Sequence, residues 1–323
     1  MYVSWNKWLT IIKEDYLPAY IRQGGAAVKF VTAEERERQQ LVDGFRESAI
    51  GENYEFVFID AALVKVHMPQ CIFYEVARQV DWEALTARYL ARVLPEEGYR
   101  IPPEGEDLLI HRIAELNQRS QETLPGELNG LLDRRIYRDD KMCREFRMAM
   151  FRLCQAKLSP ETVLTSPASI KDWLTNRLTR ITEVKTALIY QRIARHNARH
   201  MLASLSHWAN RAGKSGLAIL IDISRFFTPS PRPRDPGDAS VYYSRTAILD
   251  AYEVLRECVD AIDEMEHCLM VVVAPSDFLD ENNRRGVRSY EALWFRICDE
   301  VRDEHMANPL SPLVRLKTEV HQQ

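Results

Sequence analysis

The chain offers few constellations of residues that could do chemistry. Gly213-Lys214-Ser215 has the ending of a phosphate loop, whose backbone N–H groups cradle phosphate. The glycine that motif needs five positions earlier is Trp208. This GKS also precedes an apolar run, whereas a phosphate loop follows one, so a helix C-terminal turn is expected here. His196 and His200 have the i, i+4 spacing of a zinc pair, but Asn197 stands where a zincin carries glutamate and His207 is the nearby third candidate. No metal site is expected. Asp222 ends the apolar run GLAILID, where it could serve either a nucleotide site or a turn. Thr32 and Glu35 have the T-x-x-E spacing of a capping box.

Charge is distributed unevenly. Residues 171–214 hold nine Lys/Arg against Asp172 and Glu183, whereas 247–305 hold fifteen acids against six arginines. These are either solvated faces that can meet one another or a basic contact surface for nucleic acid or an acidic partner. In the second reading the contacts are Arg177, Arg180, Lys185, Arg192, Arg195 and Arg199 on a basic helix. The net charge of −4 argues against a protein that coats nucleic acid over its whole surface.

The elements that must position these residues follow from pattern. With 323 residues, 46% hydrophobic and 28% charged, the chain can bury a substantial core without staples. Six cysteines without a C-x-x-C pair point to reduced thiols. The longest apolar runs are far shorter than a bilayer span, and the N-terminus lacks the pattern of an export signal, so a cytoplasmic protein is expected.

A helix is predicted over 4–22, with a kink at Leu17-Pro18 and a stop at Gly24-Gly25. Strands are predicted at 26–31, 54–59, 216–222, 268–275 and 312–316, and helices at 32–48, 246–266 and 289–306. Residues 70–212 have helical periodicity, and 228–244, with four prolines, reads as a loop. Strands apolar on both faces and separated by helices imply an α/β fold with a parallel sheet. The expected organisation is a core in two halves, 1–69 and 213–323, with a helical subdomain, 70–212, between the second and third strands.

The order of elements is that of P-loop ATPases. Four stretches, YIRQGGAAVKFV, HNARHMLASLSHWANRAGKSGLAILIDI, YYSRTAILDAYEVLRECVDAIDEMEHCLMVVVAPSDFLD and RRGVRSYEALWFRICDEVRD, resemble the BREX-type ATP-binding proteins of bacterial anti-phage defence islands. The resemblance implies an AAA+-like P-loop core that works beside helicases, methyltransferases or other ATPases. It also implies that Arg284 and Arg285, after the fourth strand, stand where such proteins place arginines that reach a neighbour's nucleotide.

The chain departs from that pattern at two places. Where the family has a glycine-rich loop ending Gly-Lys-Ser/Thr, this sequence reads TAEERERQQ, with neither glycine nor lysine. No phosphate nest can form, and Glu34, Glu35 and Glu37 bring negative charge to the site that would attract phosphate. One such charge about 5 Å from a phosphate costs roughly 3 kcal/mol at an effective dielectric of 20. After Asp222, Ile223 stands where a water-orienting carboxylate belongs, and isoleucine can neither orient water nor take a proton.

Thr32, Glu35, Asp222 and Ile223 therefore read as remnants of a nucleotide site, with no catalytic residue, no metal and no cofactor expected. ATP with Mg is disfavoured. The expected function is a noncatalytic, pseudo-ATPase subunit of a phage-defence complex that docks on an active ATPase or helicase, with nucleic acid as a further contact; the expected partners are an ATPase, helicase or methyltransferase of a defence operon. Two alternatives stay open: an ATPase with an unconventional nucleotide cradle, and a DNA-binding module acting through the basic helix.

Overall fold

The computed structural model describes residues 2–228, 240–298 and 308–317. These form two compact units, one of residues 1–76 with 215–323 and one of residues 77–214.

The first unit is built on six parallel strands: β1 (Val3–Ser4), β2 (Ala26–Thr32), β3 (Tyr54–Asp60), β4 (Gly216–Asp222), β5 (Cys268–Ala274) and β6 (Leu313–Lys317). Their order across the sheet is β1-β6-β2-β5-β4-β3. The α/β class and parallel sheet read from the sequence are thus present. β1 was not foreseen, because two residues are too short to carry a pattern.

Both faces of the sheet are covered, as its continuous apolar strands require. On one face Val31 of β2, Leu220 of β4 and Leu269, Val271 and Val273 of β5 join a cluster with Trp8, Ile12, Leu17, Leu41 and Phe45. Those partners come from α1 (Trp5–Ile11), the stretch that continues it, and α2 (Glu35–Gly51). On the other face Phe30 stacks on Phe278, which meets Tyr252 of α10 (Arg245–Asp260). Gly216 opens β4 at φ +142°, and a Cβ there would sit 2.0 Å from the His267 carbonyl oxygen, so only glycine fits.

The predicted N-terminal helix is present but changes pitch. Beyond α1 it runs as a π-helix over Ile12–Ile21. Pro18 has no N–H for the α ladder, and the wider turn carries the chain past it, with Arg22 N–H donating to the Leu17 carbonyl at 2.9 Å. The helix predicted over 246–266 ends as α10 at Asp260, followed by a 3₁₀ turn at Ile262–Glu264. Of the helix predicted over 289–306, α11 covers Glu291–Ile297, and 299–306 lies outside the described residues. Most of the proline-rich loop, 229–239, also lies outside them.

The second unit is helical, and its residues lie between β3 and β4 in sequence. After the end of α3 (Pro69–Gln79) it contains α4 (Trp82–Glu96), α5 (Ile110–Asn117), α6 (Leu124–Leu132), α7 (Arg144–Leu158), α8 (Pro167–Leu174) and α9 (Ala198–Arg211). Tyr89 and Trp208 pack with ring centroids 4.2 Å apart, and Trp82 packs against Phe146. His207, nearly buried, hydrogen-bonds Asp139 through Nε2 at 2.9 Å. Burial works to raise the Asp139 pKa, but the hydrogen bond and charge of His207, with the Lys141 N–H and Arg211, hold it below the ordinary carboxylate range.

The basic helix expected from Arg177 to Arg199 is not present. Residues 181–187 form a 3₁₀ helix that Leu188, in the left-handed conformation at φ 63°, brings to an end. The α-helix resumes only at Ala198, so of the six cations only Arg199 lies on it. The apolar residues of the pattern are buried all the same, Ala187 from the end of the 3₁₀ helix and Ile189 and Ile193 from irregular backbone.

Candidate functional site

A parallel sheet gathers the carboxyl ends of its strands along one edge. Here the connection from β2 runs to β3 on one side of the sheet, while that from β5 runs to β6 on the other. The crevice beyond the ends of β2 and β5 is therefore the topological switch point, where ligands of open α/β sheets bind. In register, Thr32 lies beside Ala274, Asp222 beside Val273, and Asp60 beside Asp222.

The turn after β2 leaves little room for a phosphate cradle. Thr32 is buried, and the Ala33 N–H donates to the Ala274 carbonyl at 3.0 Å, so β2–β5 pairing extends one residue beyond the strand. α2 then begins at Glu35. The helix cap differs from the expected Thr32–Glu35 pair. Glu34 is the N-cap, and its N–H donates to the Glu37 Oε2 at 3.1 Å. The cap moves two residues along because the backbone of Thr32 and Ala33 is already engaged in the sheet. No residue from 32 to 40 has positive φ, so successive N–H groups do not form the concave nest that binds anions.

Across the crevice, Asp222 Oδ1 accepts hydrogen bonds from the Ser224 N–H, at 2.8 Å, and from the Ser224 hydroxyl. The Ser224 hydroxyl in turn accepts from Arg38 of α2. A line Arg38–Ser224–Asp222 thus joins the helix after β2 to the turn after β4. Asp60 likewise turns back on its own chain, accepting from the Ala62 N–H at 2.7 Å. Ile223 is wholly buried, and its N–H donates to the Val273 carbonyl at 2.9 Å. Its side chain belongs to the core.

The remaining predicted residues are exposed or committed to other contacts. Glu35 is exposed in the first turn of α2. Arg285 donates from Nη1 to the Phe226 carbonyl at 2.7 Å, and its own carbonyl accepts from the Tyr252 hydroxyl at 2.6 Å, so it braces the turn after β4. Arg284 is exposed.

In the second unit, Arg192 donates to the Thr179 carbonyl at 2.6 Å and Arg177 to the Thr175 hydroxyl at 3.1 Å. The Arg180 N–H donates to Glu183 at 2.9 Å, and the Arg180, Lys185 and Arg195 side chains are exposed. At Gly213, φ 85°, the N–H donates to the Asn210 carbonyl, and the Lys214 N–H to that of Ala209. This pair of bonds is a Schellman stop, so the GKS tripeptide closes α9.

Sequence reasoning missed Arg38 and Ser224. Neither belongs to a motif, and 186 positions separate them. Asp60 carried a signal, since the seven-residue runs YEFVFID and GLAILID both end in Ile-Asp and pair in that register.

The fold and this crevice define an α/β protein with a parallel sheet consistent with a P-loop core, in which the turn after β2 is occupied by a capped helix. Residues 241–322, which carry α10, β5, α11 and β6, match the family model of BREX system ATP-binding protein BrxC/D. Two of the four stretches that carried the resemblance fall inside this match, which supports a BREX-type family member; the turn at 32–40 falls outside it. No curated protein and no solved structure matches the chain. Among the described residues, no helix is long and apolar enough to cross a membrane.

Proposed function

We propose that this chain is a noncatalytic subunit of a BREX-type phage-defence complex, a pseudo-ATPase that docks on an active ATPase or helicase of the same system. The family match at 241–322 supports the place in a defence system. The observation that carries the noncatalytic reading is the turn after β2, where an Ala33–Ala274 backbone bond and a Glu34–Glu37 cap stand in place of a phosphate nest. The buried Ile223 supports the same reading, because position 223 offers no second carboxylate to orient water and Asp222, at the end of β4, is bonded to Ser224.

Titration calorimetry of the full chain with Mg-ATP tests the proposal. The expected dissociation constant is no tighter than about 1 mM, or roughly −4 kcal/mol. Micromolar binding, or phosphate release above the uncatalysed rate, would overturn it. Co-elution of the chain with the ATPase or helicase of its own operon is the expected positive result.

A further inference from the structure

The helical unit holds a cavity of about 520 Å³, within the size range of small-molecule sites. Arg152 of α7 lines it, together with Asn129 of α6 and Gln155 of α7. The guanidinium Nη1 donates to Gln155 Oε1 at 2.8 Å, and Gln155 Nε2 donates to Asn129 Oδ1 at 2.7 Å.

The polarity of this relay is forced. Arginine can only donate, so the glutamine must present its oxygen to Arg152 and its amide N–H to Asn129. Asn129 then uses its oxygen and retains its own NH₂ group. Both ends of the relay, Arg152 Nη2 and Asn129 Nδ2, are donors that no other described group accepts from.

Among the described residues no carboxylate pairs with Arg152, and its buried Nε makes no hydrogen bond. Burial pushes its pKa below the ordinary arginine value, the sign of a cation left without a counter-charge. Two other titratable groups, His111 and Glu161, also line the cavity, and neither is bonded to the guanidinium. Leu128, Leu158 and Val163 supply apolar surface, and Gln121, Ser159 and Thr162 add neutral polar groups to the wall.

We propose that this cavity binds a small organic oxyanion, a carboxylate or a phosphate monoester, through the donors left at the two ends of this relay on Arg152 and Asn129, with its carbon skeleton against Leu128, Leu158 and Val163. A planar guanidinium fork suits either acid. This site is independent of the crevice at the strand ends.

The test uses the full chain and calorimetry with three probes, succinate, glycerol 3-phosphate and inorganic phosphate, with glycerol as the neutral control. At least one of the anions is expected to bind saturably in the millimolar range or tighter, and glycerol is not. Succinate alone would assign a carboxylate ligand; glycerol 3-phosphate alone, or with phosphate, would assign a phosphate monoester.

Asn129→Asp and Arg152→Gln are each expected to weaken that binding by about tenfold or more, equivalent to about 1.4 kcal/mol. Arg152→Lys, which keeps the charge but loses the fork, should weaken it less than Arg152→Gln. Asn129 is exposed, so Asn129→Asp decides the matter if Arg152→Gln does not fold. Absence of binding by all three anions, or equal binding by wild type and Asn129→Asp, would overturn the proposal.

Discussion

Arg38 of α2 donates a hydrogen bond to the hydroxyl of Ser224, the residue that caps Asp222. This contact ties the first turns after β2 and β4 together, across the crevice at the strand ends. A charge-assisted bond that is partly buried should show thermodynamic coupling. In a double-mutant cycle, Arg38→Ala and Ser224→Ala are expected to couple by about 1–2 kcal/mol in urea unfolding. Additive effects would show that the bond contributes nothing to stability.

The cap at the start of α2 gives a second prediction. Glu37→Ala removes the carboxylate that accepts from the Glu34 N–H, and it should cost about 1 kcal/mol, a fall of about 2–4 °C in melting temperature. Thr32→Ala should not act through the cap, because Thr32 lies in β2. A Thr32→Ala loss that disappears in the Glu37→Ala background would restore the cap to Thr32.

Restoring hydrolysis should fail for a structural reason. Ile223→Glu places a carboxylate in a wholly buried core position and should destabilise the chain by about 3–5 kcal/mol. A GxxxxGKT sequence grafted over 33–40 would lose the Glu34–Glu37 cap and should lower the melting temperature without giving phosphate release. Turnover by the graft alone would mean that a carboxylate other than one at position 223 orients the water.

Lys29 offers a pH-dependent test. It sits in the middle of β2, buried, with Nζ donating to the Leu310 carbonyl and lying 4.8 Å from the ring centroid of Tyr16. Burial lowers its pKa to about 8, against an unfolded value of 10.5. Between those values the unfolded chain binds more protons than the folded one, so stability rises with pH. Below about pH 8 both states carry the proton, and the folded state bears the full cost of a buried ammonium. Relative to Lys29→Met, the wild type should therefore gain stability from pH 8 to 10, by at most about 1.4 kcal/mol per pH unit. Above pH 10 the buried Tyr54, Tyr89, Tyr243 and Tyr252, whose hydroxyls desolvation holds well above 10, oppose this trend, so the comparison belongs below it. A flat difference across that window would show that Lys29 is not desolvated.

Much of the fold was legible because it rests on local signals. The runs at 26–32, 54–60, 216–222 and 268–274 are apolar on both faces, and each became a strand of the parallel sheet. Asp222 and Ile223 could be placed because a strand end is a local landmark. What stayed hidden depended on distant partners. The shift of the cap from Thr32 to Glu34 follows from a bond to Ala274, and Arg38 is understood only once Ser224 is beside it. The basic segment failed for the opposite reason: left-handed residues at Asn176 and Leu188 bracket a short 3₁₀ helix in a pattern that reads as one continuous helix.

The place of β2 in the sheet has a consequence for synthesis. Both of its neighbours, β5 and β6, are translated long after it, and β3 and β4 reach it only through β5. Until residue 268 leaves the ribosome, AAVKFVT is an apolar segment with two open edges, the kind that recruits other chains. Lys29 interrupts it with a positive charge that solvated, unpaired chains keep at neutral pH. The residue that is costly inside the finished sheet is thus a gatekeeper during the wait for its neighbours.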